Sequence, residues 1–420
     1  MDQIIILALY YAVGFYVILN CTKQLILSMK TIKRGDMRIQ HFVYMIFYFF
    51  FVFPILVNLF AYDYHYLIFY RADDAMRDYP SLMIFAVFVY IFSFFIIRSI
   101  KREKIVKHQY MIISPGLIGL CSLITIGCLV ATIILSGIQV LLGGYGYAYL
   151  HNDIIGVNEV VIGCGVISYL IVLGHYKYVS KFLLAILTFC VFCFFWIVGK
   201  RYIIAETMVM AIAVLGMNGV LSGKKMIRYS VIGATLIVGL GFLYGVFFKE
   251  NVTSFLDYLN VDFSRQYTLV YQFYCDRIGR QISPNPFDGI VFLLTFYVPR
   301  FMWEDKPYPF VNYLTLSLVG QDEVEFTNAG WATTCSVFSD LFDSLWYFGL
   351  ALGIFLFVRL FRWINHTNKL HWKILLIYLV IKMITVQISS AIIQITIVGL
   401  AMLVYGFFTK KKKVAIGGKI

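Results

Sequence analysis

Residues 182–221 read FLLAILTFCVFCFFWIVGKRYIIAETMVMAIAVLGMNGVL. One apolar run, Phe182 to Gly199, is followed by Lys200, Arg201 and Tyr202 and at once by another, Ile203 to Leu221. At about 1.5 Å per helical residue, each run reaches most of the way across ~30 Å of hydrocarbon. Neither run alternates apolar and polar residues as a barrel strand would, so the backbone must satisfy its hydrogen bonds within helices. The pair predicts a hairpin of two transmembrane helices.

The same pattern recurs on both sides of that hairpin. Upstream runs are Gln3 to Cys21, His41 to Ala61, Ser81 to Ile97, Pro115 to Leu142 and Glu159 to Gly174. Downstream are Ser230 to Phe248, Leu345 to Trp363, Ile374 to Ser389 and Ala391 to Phe408, about eleven spans in all. The closing pair reads either as two short helices turning near Ser389 and Ser390 or as one long tilted helix. Composition agrees: 61% hydrophobic residues, 14% charged and a mean hydropathy of +0.83 exclude a soluble multidomain chain. Met1 to Asn20 lacks a basic start and a small-residue cleavage site, so it reads as the first span and not as a removed signal.

Charge sets the expected orientation. With the N-terminus outside, the loops at Lys23–Arg38, Arg98–Lys107, Lys177–Lys181, Lys224–Arg228 and Arg359–Lys373 and the tail Lys410–Lys419 face the cytoplasm. They hold 24 of the 35 lysines and arginines against two acids, Asp36 and Glu103. That is the positive-inside pattern, and it accounts for the formal charge of +13 without nucleic acid as a partner.

The resulting organisation is a helical bundle over 1–248, a large outer loop over 249–344, further spans over 345–409 and a basic tail over 410–420. A loop this long between membrane helices is usually functional. It holds five of the eight prolines, Pro284, Pro286, Pro299, Pro307 and Pro309. Its apolar run Gly289 to Val298 is too short to span and reads as an interfacial helix ended by Pro299. Cys275 and Cys335 share this loop, where a disulfide and two separate thiols are both open. Cys190 and Cys193 form a C-x-x-C inside hydrocarbon, where no thiolate is stable and redox work is not expected.

Several charges break the pattern. Lys200 and Arg201 sit on the outer side of the opening hairpin, against the positive-inside trend. They read either as a fork for an anionic ligand or as side chains snorkelling to headgroups. Glu206 follows inside an apolar run, where an ionisable group is by default functional, or else neutralises Arg201 or Lys200. In the outer loop Arg265, Arg277, Arg280, Arg300 and Lys306 are spaced as if to line a cavity for a diphosphate, with a solvated surface as the alternative. Tyr202 and Trp303 are placed to stack on sugar faces or to anchor at the interface. Glu304, Asp305 and Glu206 are candidate bases, and no metal or cofactor is called for.

The segment after the interfacial run resembles the O-antigen polymerase family of bacterial oligosaccharide repeat-unit polymerases. The resemblance rests on Pro299, Arg300, Trp303, Lys306 and Pro307, on Gly330 with Tyr347, Phe348 and Gly349, and on the Gly199 to Arg201 hairpin. It implies a glycosyltransferase bundle of the GT-C kind in the inner membrane, with a periplasmic N-terminus and a cytoplasmic C-terminus. Undecaprenyl-diphosphate-linked oligosaccharides would be donor and acceptor, membrane lipid the surroundings and a chain-length regulator a further partner. Arg201 and Arg300 would stabilise the leaving diphosphate. Related ligases use a histidine in the large outer loop, and 249–344 has none. The paired acids Asp73, Asp74 and Asp78 suit enzymes that take lipid-monophosphate sugars, or a hydrated loop. A lipid-linked-oligosaccharide flippase is the competing reading of another class.

Overall fold

The computed structural model describes residues 3–60, 69–102, 115–142, 155–199, 201–248, 264–320, 333–386 and 388–417. Among these the regular structure is helical, with no β-strand. In chain order the first helices are α1 (Gln3–Lys33), α2 (Ile39–Phe47), α3 (Phe53–Phe60), α4 (Tyr70–Met76), α5 (Tyr79–Arg102), α6 (Pro115–Ser136) and α7 (Gln139–Leu142). The middle holds α8 (Ile155–Gly174), α9 (Lys181–Val198), α10 (Arg201–Met217) and α11 (Gly223–Phe248). Then come α12 (Gln266–Arg277), α13 (Asp288–Thr295), α14 (Phe310–Val319), α15 (Val337–His366), α16 (Leu370–Thr385) and α17 (Ile388–Gly417). Six helices among the described residues are long and apolar enough to cross a membrane: α1, α2 running into α3, α5, α6, α9 and α15. The chain is a multi-pass α-helical membrane protein.

Several helices depart from the expected runs; α1 continues to Lys33 past the expected Cys21, and α11 starts at Gly223 ahead of Ser230. The run Pro115 to Leu142 breaks at Gly137, whose φ of 77° ends α6 before the single turn of α7. The span expected from Leu345 begins earlier, at Val337, and kinks at Trp346. The last two runs are separate helices, α16 ending at Thr385 and α17 starting at Ile388, so the chain turns a few residues before Ser389. The interfacial run forms α13, starting one residue early at Asp288 and ending at Thr295 ahead of Pro299.

The chain divides into two compact units. Unit 1 comprises Met1–Val106, Ser222–Asn365 and Val380–Ser389. Its centre is a ladder of rings, because phenylalanine recurs at helical spacing on α2, α5 and α15. Phe92 meets Phe338 edge-on at 4.8 Å between centroids, and Phe338 stacks on Phe357 at 5.3 Å. Such pairs add about 0.5–1.5 kcal/mol each beyond area burial.

Between α2 and α3 the helix widens into a π-turn at Tyr48–Val52. Pro54 has no N–H to offer the carbonyl four residues earlier, so the Phe50 oxygen is free to accept the backbone N–H of Arg265 at 3.1 Å. At the end of α1, Arg38 donates to both carboxylate oxygens of Asp36 and to the Ile100 carbonyl, which ties α5 to the α1–α2 corner. Burial alone would raise the Asp36 pKa, but hydrogen bonds from His41 and Arg38 hold it well below the usual carboxylate range.

Gly349 has a backbone reason for being glycine. The kink at Trp346 folds the chain back so that a Cβ at 349 would lie 1.9 Å from the Leu341 carbonyl oxygen. Backbone cannot swing aside as a side-chain tip can. Gly349→Ala is therefore expected to destabilise by at least the 1–3 kcal/mol typical of overpacking, roughly. A thermal midpoint equal to wild type in detergent would contradict this.

Unit 2 comprises Lys107–Leu221, His366–Leu379 and Ser390–Ile420. Helices α6, α8, α9 and α10 pack side by side, and the Trp196 indole donates to the Leu141 carbonyl at 3.0 Å. A polar knot sits within this apolar unit. The Tyr378 hydroxyl donates to the Gln394 side-chain oxygen, and the Gln394 amide donates to the Glu159 carbonyl at 3.1 Å. Glu206 is 3% exposed and acts electrostatically on Tyr378.

At one end of unit 2, His175 donates Nδ1–H to the Ile171 carbonyl at 2.8 Å. Burial, the His175 charge and Lys369 push His371 down to about 4. Burial pushes His175 itself down. A depressed histidine stays neutral when folded while the unfolded chain takes up protons near pH 6.5. Stability is thus full at pH 7 and above and falls as pH drops toward 4. Wild type should lose several degrees of thermal midpoint between pH 7.5 and 5, and His371→Gln should lose markedly less; parallel curves would refute the assignment.

Candidate outer-loop site

The segment 249–344 is largely helical where it is described, and its helices bring chemistry-bearing side chains to one place. Helix α12 is anchored from beneath: the Tyr271 hydroxyl bonds Ser317 at 2.7 Å, and Tyr267 bonds Thr333 at 2.6 Å. Its far end unwinds through Gly279, with φ of 72°, into Arg280–Pro286. There α12 and the first part of α15 border an open cleft of about 200 Å³ with a mixed polar and apolar lining. Gln272, Asp276, Arg280, Ser283, Asp343 and Trp346 line it. The Ser283 hydroxyl donates to the Asp343 carboxylate. That bond fixes the carboxylate at the wall.

Trp346 is the strained residue of this wall. Its φ of 50° and ψ of −140° lie in a region that side-chain-bearing residues rarely occupy. Such a conformation costs roughly 1–3 kcal/mol and persists where surrounding structure enforces it, often at functional sites. The strain leaves the indole 61% exposed at the cavity, a flat ring beside two carboxylates and a guanidinium. An arrangement of this kind can hold a charged, hydroxyl-rich ligand: the arginine meets an anion, the carboxylates accept hydroxyl protons and the ring stacks on a sugar face.

The residues singled out in the sequence fall into several environments. Arg280 lines the cavity. Arg277, three residues before it, pairs with Asp78 at 3.2 Å, so the segment ahead of α5 is held to α12. Arg265 is a core residue, 0% exposed, donating to the Thr385 carbonyl at 2.7 Å and the Ser264 carbonyl at 3.0 Å, and lying 5.0 Å over the Phe50 ring.

Arg300 and Lys306 are neighbours in a tight turn. The Arg300 fork donates to the carbonyls of Lys306 and Pro307, at 2.7 and 3.2 Å, and stacks 3.6 Å over Tyr308. Lys306 is 5% exposed, with its ammonium on the carbonyls of Phe296 and Val298. Burial and the Arg300 charge lower its pKa. Both cations are engaged by their own loop, which gives them a part in shaping it. Trp303, Glu304 and Asp305 stand exposed on the same turn.

Gly199 caps α9 in the left-handed conformation, φ 64°, and α10 starts at Arg201, so the hairpin forms where expected. Lys200, the side chains of Arg201 and Tyr202, and Gly330 lie outside the described residues. Glu206 belongs to the polar knot of unit 2. Cys275 and Cys335 are separate buried thiols, and burial pushes Cys275 up to about 11, too high for thiolate chemistry near neutral pH.

Sequence reasoning missed Asp343, Ser283, Asp276 and Trp346. The signal available for Asp343 was its i+3 spacing from Asp340 just ahead of an apolar run, which places two acids on one helix face at the membrane edge. No family, no curated protein and no solved structure matches this chain.

Proposed function

We propose that this chain is a glycosyltransferase that joins undecaprenyl-diphosphate-linked oligosaccharide repeat units into O-antigen or a similar surface polysaccharide. In this reading it is an eleven-span bundle of the GT-C kind in the bacterial inner membrane, with its N-terminus periplasmic, its C-terminus cytoplasmic and the loop 249–344 on the periplasmic side. The observation that carries it is the grouping of Arg280 with Asp276, Asp343 and Trp346 in one cavity built from that loop. An acceptor hydroxyl oxygen attacks the anomeric carbon of the growing chain, and the bond from that carbon to the diphosphate oxygen breaks. The hydroxyl proton passes to a carboxylate, Asp343 or Asp276, and the electron pair leaves with the diphosphate. Arg280 meets the charge that develops there, and Arg201 is the further cation the resemblance brings to this step.

Buried Glu206 in unit 2 favours a second reading, a flippase for the same lipid-linked oligosaccharide, because ionisable groups inside a bundle mark transport pathways. Gene deletion separates the two. The polymerase reading expects lipid carrying a single repeat on the periplasmic side and no long chains. Long chains in the deletion strain reject it, and single repeats trapped on the cytoplasmic side favour the flippase.

A further inference from the structure

Away from the outer cavity, unit 1 carries a second hollow, an apolar groove of about 1090 Å³ between α5 and α15. Val87, Ile91 and Phe95 form one wall, and Leu350, Ile354 and Phe355 the other. Tyr347 lies near Arg277, which pairs with Asp78 just ahead of Pro80, so the starts of both groove walls lie together and their C-terminal turns come at the other end. From Tyr347 to Arg362 the groove follows roughly 22 Å of helix, more than the ~15 Å of hydrocarbon in one leaflet.

The end of the groove is what distinguishes it from an ordinary lipid-facing wall. Arg98 and Arg102 on α5 and Arg359 and Arg362 on α15 all line it there, and no aspartate or glutamate does. Spacings of four and three residues put each pair on one helix face. Arg98 lies 6.0 Å over the Phe94 ring and Arg359 lies 5.1 Å over Phe355, so aromatic rings on their own helices steady both guanidinium groups. Among the described residues no carboxylate is within ion-pair distance of Arg98, Arg102 or Arg359. Positive-inside topology explains basic residues at a cytoplasmic helix end; it does not explain four of them converging from two helices onto the mouth of one apolar groove.

We propose that this groove is a binding site for one anionic phospholipid, its acyl chains lying along α5 and α15 and its phosphate diester held by the four arginines. Guanidinium forks match phosphate oxygens in pairs. The ammonium of a zwitterionic headgroup would face four cations of its own sign, whereas an anionic headgroup adds only complementary charge. Lipid here is a structural ligand of unit 1, independent of the reaction at the outer cavity.

The test uses the purified full chain in a neutral detergent, with dioleoylphosphatidylglycerol or dioleoylphosphatidylcholine added stepwise and thermal unfolding followed. Phosphatidylglycerol should raise the midpoint saturably, with a half-saturating mole fraction about tenfold below that of phosphatidylcholine. Replacing Arg98 and Arg359 together by Gln should bring the two lipids to parity. Ala351→Trp fills the groove without touching a charge and should remove the saturable response to both.

Equal responses of wild type to the two lipids overturn the proposal, as does an undiminished preference in the double variant. Glycerol phosphate alone reproducing the whole effect shows an anion site without a groove and overturns it too, as does a dimer that Ala351→Trp dissociates with no dependence on lipid. If either variant fails to fold, native mass spectrometry of wild type from an equimolar mixture of the two lipids decides: retained phosphatidylglycerol supports the site, and no preference rejects it.

Discussion

Asp343→Asn is expected to reduce chain elongation by about 10²–10⁴-fold, the usual contribution of a positioned general base. The substitution keeps the shape of the side chain and an oxygen to accept from Ser283, so the cavity wall is preserved while the proton-accepting charge is lost. The measurement is the ratio of long chains to single repeats on lipid, made at equal amounts of protein in the membrane. Asp276→Asn in parallel identifies which carboxylate takes the proton, since only the true base shows the larger fall. Wild-type chain length in both variants would remove the outer cavity from the reaction, and with it the main support for the polymerase reading.

Arg265→Leu is expected to be the most damaging single change to folding. Distant elements converge on this fully buried side chain: the Phe50 ring from the π-turn and the Thr385 carbonyl from the end of α16, with the neighbouring Ser264 carbonyl as a second acceptor. Removing one partner of a buried charged network costs about 3–5 kcal/mol, because the carbonyls left behind stay desolvated. That approaches the whole stability of many domains. The variant should be inserted and then degraded, with membrane levels falling at least severalfold. Arg265→Lys should recover little, since an ammonium lacks the planar fork that reaches carbonyls in different directions. Normal levels of the leucine variant would show the network to be dispensable.

The sequence was informative where a single physical rule acts alone. The hydrocarbon thickness and the need to close backbone hydrogen bonds fix runs such as Phe182 to Gly199, which forms α9 over Lys181–Val198, whereas the short helix expected to run up to Pro299 stops at Thr295. It was less informative where two rules compete. The run His41 to Ala61 reads as one plain span, yet past Pro54 the chain keeps its helical course by widening one turn and lending the freed carbonyl to the backbone N–H of Arg265, a residue more than two hundred positions away.

The same limit applies to the site. Arg265, Arg300 and Lys306 stand out in one dimension because cations beside apolar runs are conspicuous, but each is held by carbonyls that no local pattern announces. Asp343 was not singled out in one dimension; the fold gives it Ser283 as a hydrogen-bond partner and sets it with Arg280 in the lining of one cavity. Arg280 alone was chosen from the sequence and also lines the cavity.

The interleaving of the two units has a consequence for biosynthesis. Unit 1 takes its last piece from Val380–Ser389, and unit 2 takes pieces from His366–Leu379 and from Ser390 onward. Neither can be finished while the ribosome is still short of codon 380, and the acceptor that secures Arg265, the Thr385 carbonyl, is among the final parts delivered. A nascent chain stalled at residue 360 would therefore hold a buried guanidinium with one of its anchors still untranslated, so quality-control proteases in the membrane would meet both halves unfinished together, and premature stops near the C-terminus should be as harmful as those near the middle.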